Sequence, residues 1–393
     1  CRAAEWRHRL RSIFKMDFEL DQDQQMLAKT VSDFANNESP VERFRKFRDD
    51  DVGYDPTVWG KMGELGWLGV PFPESVGGFD GSFTECAIVL ENLATTLVPE
   101  PYLASVVLGG MTLLRAGSSA QHQAYLTPMI EGETTLALAC SEAQSRYDVS
   151  AVETTATRNR GGYKLSGEKI WVLNGHHADH WIVSAKAPRG VTLFVVPRGV
   201  EGADVRVAKT IDGQKAAFIK LDGVAVGEDA RLGEEGSGAQ VLDRTMDYAA
   251  AAAVAEGVGI ANTMLRMTLD YLGTREQFGV KIGSFQALQH RAVDMYAETE
   301  LLRSISMAAM VRADEDDAST RRRDISAAKY QLAVGGIWVA QQSLQLHGGI
   351  GVTDEHDIGL YFKRMYALNA LFGDEEHHVT RFASDPAFVE VAV

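Results

Sequence analysis

One run of the chain, Asp374-Glu375-Glu376-His377-His378, gathers side chains that could take up a proton or hold a metal ion. Neighbouring histidines splay apart on a helix, so a shared ion is disfavoured. Acids at a helix start also suit the positive end of its dipole, and a solvated helix start is the simpler reading. A second constellation is Arg275-Glu276-Gln277-Phe278-Gly279. An arginine fork can give a phosphate oxygen a bidentate, charge-assisted contact. Gln277 adds neutral hydrogen bonding and Phe278 an apolar wall; taken alone, Arg275 would be a surface ion pair. A third is Gln345-Leu346-His347-Gly348-Gly349-Ile350-Gly351, whose glycines let backbone approach a ligand closely because no Cβ intervenes. It lacks the strand-to-helix spacing of a dinucleotide fingerprint, and alone it would read as a turn.

Each constellation needs elements to hold it. From Asp17 to about Gly110 apolar residues recur at three and four spacing, as in Met26, Leu27, Val31 and Phe34, which predicts helices. Pro71 to Gly78 and Pro99-Glu100-Pro101 interrupt them. From about Thr134 to Glu235 short apolar runs take over: Leu136 to Cys140, Trp181 to Ala185, Val191 to Val196, and Phe218 to Leu221. Turns such as Arg160-Gly161-Gly162 and Asp212-Gly213 separate them, which predicts a small β-barrel or sandwich. Beyond Gly238 long helical stretches return, and the run Ala249 to Ala253 suits a tightly packed helix. The expected fold class is α+β, in the order helices, strands, helices. The expected domains are an extension outside the fold at residues 1–15, an N-terminal helical domain at 16–133, a middle β-domain at 134–235 and a C-terminal helical domain at 236–393. The extension is basic, has no apolar core of a secretory signal and precedes a normal-looking start at Met16, so upstream or non-native sequence is expected there.

A chain of 393 residues, 45% hydrophobic, has ample length for a buried core. Its net charge of −15 makes it a poor nucleic-acid binder, because phosphate contact needs clustered Lys and Arg. Arg321, Arg322 and Arg323 sit beside Asp314 to Asp317 and read as a solvated helix connection. The three cysteines, Cys1, Cys86 and Cys140, are far apart and form no CxxC pair. That disfavours a disulfide framework or zinc site and fits a reducing cytoplasm. No apolar run reaches transmembrane length, so no membrane partner is expected.

The second and third constellations resemble the RxQFG…I…FQ and QxxGGxG stretches of acyl-CoA dehydrogenases, with Ile282 and Phe285-Gln286 continuing the first. Gly66-Trp67-Leu68-Gly69-Val70-Pro71, with Pro73-Glu74 and Gly77-Gly78, is similar to that family's LGxxGxxxPExxGG segment. Gly167 to Gly175, with Ala178-Asp179 after it, is similar to its GxKxWITNG strand. The matches lie in order over nearly all of the chain after Met16. The resemblance implies an N-terminal helical domain, a middle β-domain and a C-terminal four-helix bundle. It implies FAD as cofactor and an acyl-CoA substrate: a carboxylate takes the α-proton while hydride leaves the β-carbon, and electrons pass on to an electron-transfer flavoprotein. It implies that Arg275, Gln277 and Phe278 reach FAD held mainly by a neighbouring subunit, and that Gln345, Gly348 and Gly349 contact its adenine side. Trp171 matches the aromatic beside the isoalloxazine; its plain alternative is a core strand tryptophan. Ser141-Glu142 to Asp148 resembles the family's TEPxxGSD loop, which supplies contacts to flavin and thioester.

The departures from the family cluster around chemistry. The loop reads Ser141-Glu142-Ala143-Gln144-Ser145-Arg146-Tyr147-Asp148, without its Pro, Gly and Ser, and Leu173 stands where a threonine hydroxyl would bond the flavin. Ungapped counting puts Phe372 at the position of the usual catalytic Glu, and Ala249 and Ala250 where other members carry a Glu next to an Arg. None of these can accept a proton, so no catalytic residue is assigned. Asp247 stands where the family often contacts CoA, without its Arg neighbour. Retained interface motifs with a missing base resemble the non-catalytic chain of bacterial α2β2 acyl-CoA dehydrogenases, which act on bulky esters such as steroid side chains or dicarboxylates. That implies a tetramer in which a related subunit carries the catalytic Glu. Two alternatives stay open: a self-sufficient tetramer whose base is Asp374, Glu375 or Glu376, and a non-redox CoA-ester binder on the same fold.

Overall fold

The computed structural model describes residues 20–385, so the expected extension at 1–15 and Met16 lie outside the described residues. Helix starts near the N-terminus are set by capping. Asp21 caps Gln22–Glu38 and Ser82 caps Phe83–Ala94, each in a reciprocal box with Gln24 or Glu85. Of the periodic residues in the first helix, Val31 and Phe34 are buried, Leu27 packs at the core's edge and Met26 faces solvent. A buried π-helical stretch, Leu103–Gly110, runs into Met111–Ala116 and leads the chain to the sheet.

The strands are β1 (Leu136–Ala139), β2 (Thr155–Asn159), β3 (Gly162–Leu173), β4 (His180–Ala187), β5 (Gly190–Pro197), β6 (Ala203–Lys209), β7 (Lys215–Gly227) and β8 (Arg231–Leu232). They form one eight-stranded sheet in the order β6-β7-β3-β2-β4-β5-β8, with β1 parallel to β4. Side chains alternate between its faces. Leu136, Leu138, Ile182, Leu193 and Val195 join the large helical core, whereas Ala137, Trp181, Val183, Phe194 and Val196 close a second core within the sheet. Both faces of these strands are therefore buried, which is why they read as unbroken apolar runs. Burying Phe194 alone stabilises by roughly 2–3 kcal/mol.

Helices resume with Gly238–Thr274, whose Ala249 to Ala253 are all buried. A hairpin of β9 (Glu276–Gln277) and β10 (Val280–Lys281) separates it from Gln286–Ala313. Ala318–Gln331 continues through a π turn, Leu332–Gly336, into Ile337–His347; Ile358–Ala370 and Glu375–Ala383 follow. The expected solvated arginine triplet is corrected in part. Arg321 is buried, with Nε 2.7 Å from Asp247 Oδ2, because that fully buried carboxylate needs cationic partners. Cys86 and Cys140 are free and buried. Among the described residues no helix is long and apolar enough to cross a membrane.

Candidate functional site

A cavity of about 830 Å³ lies between the sheet and the C-terminal helices. Ser141, Trp171 and Leu173 line it from the sheet; Met246, Ala370 and Phe372 line it from the helices. Trp171 is 50% exposed with φ +52°, its ring 5.0 Å from that of Phe218, so it is no core tryptophan. Phe372 does stand in the wall. Ala249 and Ala250 are sealed inside the long helix's core.

Four carboxylates line the cavity, and each already has partners. Glu142 accepts from Lys169 Nζ at 2.6 Å, Glu153 N at 2.7 Å and Thr154 N at 3.1 Å. Burial works against its charge, yet the Lys169 and Thr154 hydrogen bonds prevail and hold it down at about 2, too low for a base at neutral pH. Asp212 receives Arg364 Nη1 at 2.7 Å, while the same guanidinium grips Glu256 at 2.6 and 2.9 Å. Asp243 is paired with Arg322. Asp374 Oδ1 caps the final described helix at His377 N, 3.0 Å, and Oδ2 accepts from Tyr147 at 3.3 Å. The alternative bases Glu375 and Glu376 are solvent-exposed and do not line the cavity. Asp247, expected from the resemblance near CoA, is buried between Arg321 and Arg381 and does not line the cavity.

The segment bearing Phe372 is fixed from below. Lys329 Nζ donates to Leu368 O at 2.8 Å, Asn369 O at 3.0 Å and Gly373 O at 2.9 Å. Burial pushes this lysine down to about 7, but three acceptors are one more than a neutral amine can serve with its two N–H. His378, which burial pushes down to about 2, is neutral, and its Nε2 lies 3.0 Å from Phe372 O. The His377 and His378 rings stand at 88° to each other, and no group among the described residues is arranged for a metal ion. Sequence reasoning missed Lys329, Tyr147 and the Arg364 cluster. Charges inside apolar helices, such as Glu256 within its Ala and Val run, were the available signal.

The other expected site residues lie elsewhere. Arg275, Gln277, Phe278, Gln345, Gly348 and Gly349 are all exposed, and none lines the cavity. Phe278 and Gly279, both at positive φ, form the two-residue turn of the β9–β10 hairpin, which lifts the Phe278 ring to 91% exposure. The Gly348 turn belongs to the same end of the molecule, since the rings of Tyr271 and His347 stack at 4.6 Å. Gly348 has φ +62°, and a Cβ at Gly348 or Gly349 would meet nothing within 4 Å of this chain. Among the described residues the Arg275 side chain makes no ion pair, so the surface ion-pair alternative is not realised.

Comparison with known proteins follows the same outline. The model of the acyl-CoA dehydrogenase N-terminal domain matches residues 21–133, that of the middle domain 137–224 and that of the C-terminal domain 236–385. The probable acyl-CoA dehydrogenase YngJ of Bacillus subtilis is 30% identical over 354 residues, 87% of this chain and 92% of that protein. Among solved structures, the Tcur3481-Tcur3483 steroid ACAD superposes with a TM-score of 0.84 at 28% identity, covering 95% of this chain and 99% of that one. The ChsE4-ChsE5 complex from Mycobacterium tuberculosis gives 0.85 at 28% identity, over 95% and 99%.

Proposed function

The chain belongs to the acyl-CoA dehydrogenase family, a class of FAD-dependent oxidoreductases, and from that premise we propose that it completes a partner chain's FAD site instead of removing the substrate proton itself. The observation that carries this reading is the cavity's lack of an unpartnered carboxylate. A base must come within hydrogen-bond reach of the α-carbon with a pKa suited to the task. Here Phe372 fills the expected position, and Glu142, Asp212, Asp243 and Asp374 are committed to protein partners.

FAD, where bound, supplies the hydride acceptor. This chain's residues fit it at one place and not at the other. At the exposed end, the Arg275 guanidinium is free for a pyrophosphate oxygen, Gln277 adds a neutral donor, and the bare Gly348-Gly349 backbone admits a flat adenine. Gln345 lies one helical turn before it and Phe278 covers the apolar side. These groups are exposed and none lines the chain's own cavity, so they suit FAD on a neighbouring subunit. In the cavity, Trp171 and Ser141 remain, but Leu173 offers no hydroxyl.

The partner is a related subunit that carries a catalytic Glu, in an α2β2 tetramer acting on an acyl-CoA, with an electron-transfer flavoprotein as acceptor. Two similar structures carry paired names, ChsE4-ChsE5 and Tcur3481-Tcur3483, which supports a two-chain assembly. The reading is tested by purifying the chain alone and then co-expressed with a Glu-bearing relative. Alone it should be colourless and inactive on any acyl-CoA; together, both flavin absorbance and turnover should appear. Turnover by the isolated chain would refute it.

A further inference from the structure

We infer that a clasp between Tyr147 and Asp374 keeps FAD out of this chain's own cavity; the inference deepens the reading above and rests on it. Tyr147 sits on the connection from β1 to β2, and Asp374 on the turn before Glu375–Ala383. Both line the cavity, so a bond between them joins its sheet side to its helical side at that point of the wall. The Tyr147 hydroxyl lies 3.2 Å from Ala370 O and 3.3 Å from Asp374 Oδ2, and its ring lies 5.1 Å from that of His377. Burial and the Asp374 charge both push this phenol up, so it stays a donor at neutral pH.

Further bonds anchor the backbone at both ends of the clasp. Asp374 is tied by its cap to His377 N, and the carbonyls of Phe372 and Gly373 just before it are held by His378 and Lys329. On the sheet side, Ser145 Oγ donates to Glu142 O at 2.9 Å, and Asp148 N donates to Ser145 O at 2.8 Å. Between them Arg146 adopts φ +45°, a left-handed conformation that a non-glycine residue adopts only at a cost. The loop thus accepts strain to bring the phenol across. A planar flavin with a dianionic pyrophosphate entering there would meet a phenol and a carboxylate instead of hydroxyl and backbone donors.

The test uses the full-length chain titrated with FAD, read by quenching of the Trp171 part of the emission, with Trp171→Phe as the blank. The wild-type chain should show no saturable quench. Arg146→Gly combined with Tyr147→Ser should gain saturable FAD binding, at least roughly tenfold tighter than wild type, or about 1.4 kcal/mol. Tyr147→Phe keeps the ring but removes the single hydroxyl donor shared by Ala370 O and Asp374 Oδ2, and should gain a smaller part of that affinity. It also decides the matter should the double variant fail to fold. Folded variants that bind FAD no better than a flavin-free wild type would overturn the clasp and leave the subunit reading standing. A wild-type chain that quenches stoichiometrically would overturn both.

Discussion

The cavity and the exposed end of the C-terminal helices differ in how their charged groups are spent. In the cavity every lining carboxylate is satisfied within the chain: Glu142 by Lys169, Asp212 by Arg364, Asp243 by Arg322, Asp374 by its helix and Tyr147. At the exposed end, Arg275 has no ion pair, Gly348 and Gly349 border open space, and Phe278 is 91% exposed. Glu142 and Asp212 are enclosed with their partners and so committed to the fold, because breaking such a pair leaves an uncompensated charge; the Asp243–Arg322 pair is part-exposed. An exposed fork beside bare backbone is available to something outside the chain. The contrast is what the proposed reading requires: family motifs kept as a surface for a neighbour beside a cavity without a free base.

The largest test of that contrast is Arg275→Ala in the two-chain assembly. Two charge-assisted hydrogen bonds are worth about 4 kcal/mol, so FAD should bind roughly a thousandfold more weakly by equilibrium dialysis. Lysine should recover only part, lacking the fork. Next comes Lys329→Met, which strands three carbonyls beneath the cavity. It should lower stability by about 3 kcal/mol in urea unfolding while the flavin content of the surviving assembly is unchanged. If flavin were lost in step with stability, the two regions would not be independent. Glu142→Gln should reshape the acid limb of stability. The folded carboxyl lies at about 2 against an ordinary 4.5, so its contribution is full above about 4.5 and is lost as pH falls towards 2. The variant should be flatter in that window, checked by thermal melts against pH. Smallest of all should be Phe372→Glu, which restores a carboxylate but yields no turnover in the isolated chain.

The fold was legible because its signals are local. Leu136 to Cys140 read as a strand and is one as far as Ala139, Val191 to Val196 lies within a strand, and the Ala249 run marked a close-packed helix. Arg275 to Gly279 stood out because it is contiguous, but that Phe278 and Gly279 turn a β9–β10 hairpin there was not anticipated. What stayed hidden depends on residues far apart in the chain. Arg321 looked solvated beside its acidic neighbours, yet Asp247 draws it inside. Tyr147 stood in a loop that lacks the family's Pro, Gly and Ser, and only folding brings it to Asp374. Lys329 gave no sign that it holds the turn after Leu368.

The ratio of flavin to polypeptide in the purified two-chain assembly bears most directly on the division of labour between chains. One flavin for each pair of chains, with none left when the partner's contribution is dissociated, is the predicted value. One flavin for every chain would place a working cofactor in the cavity that Phe372 and Tyr147 line, and would contradict it.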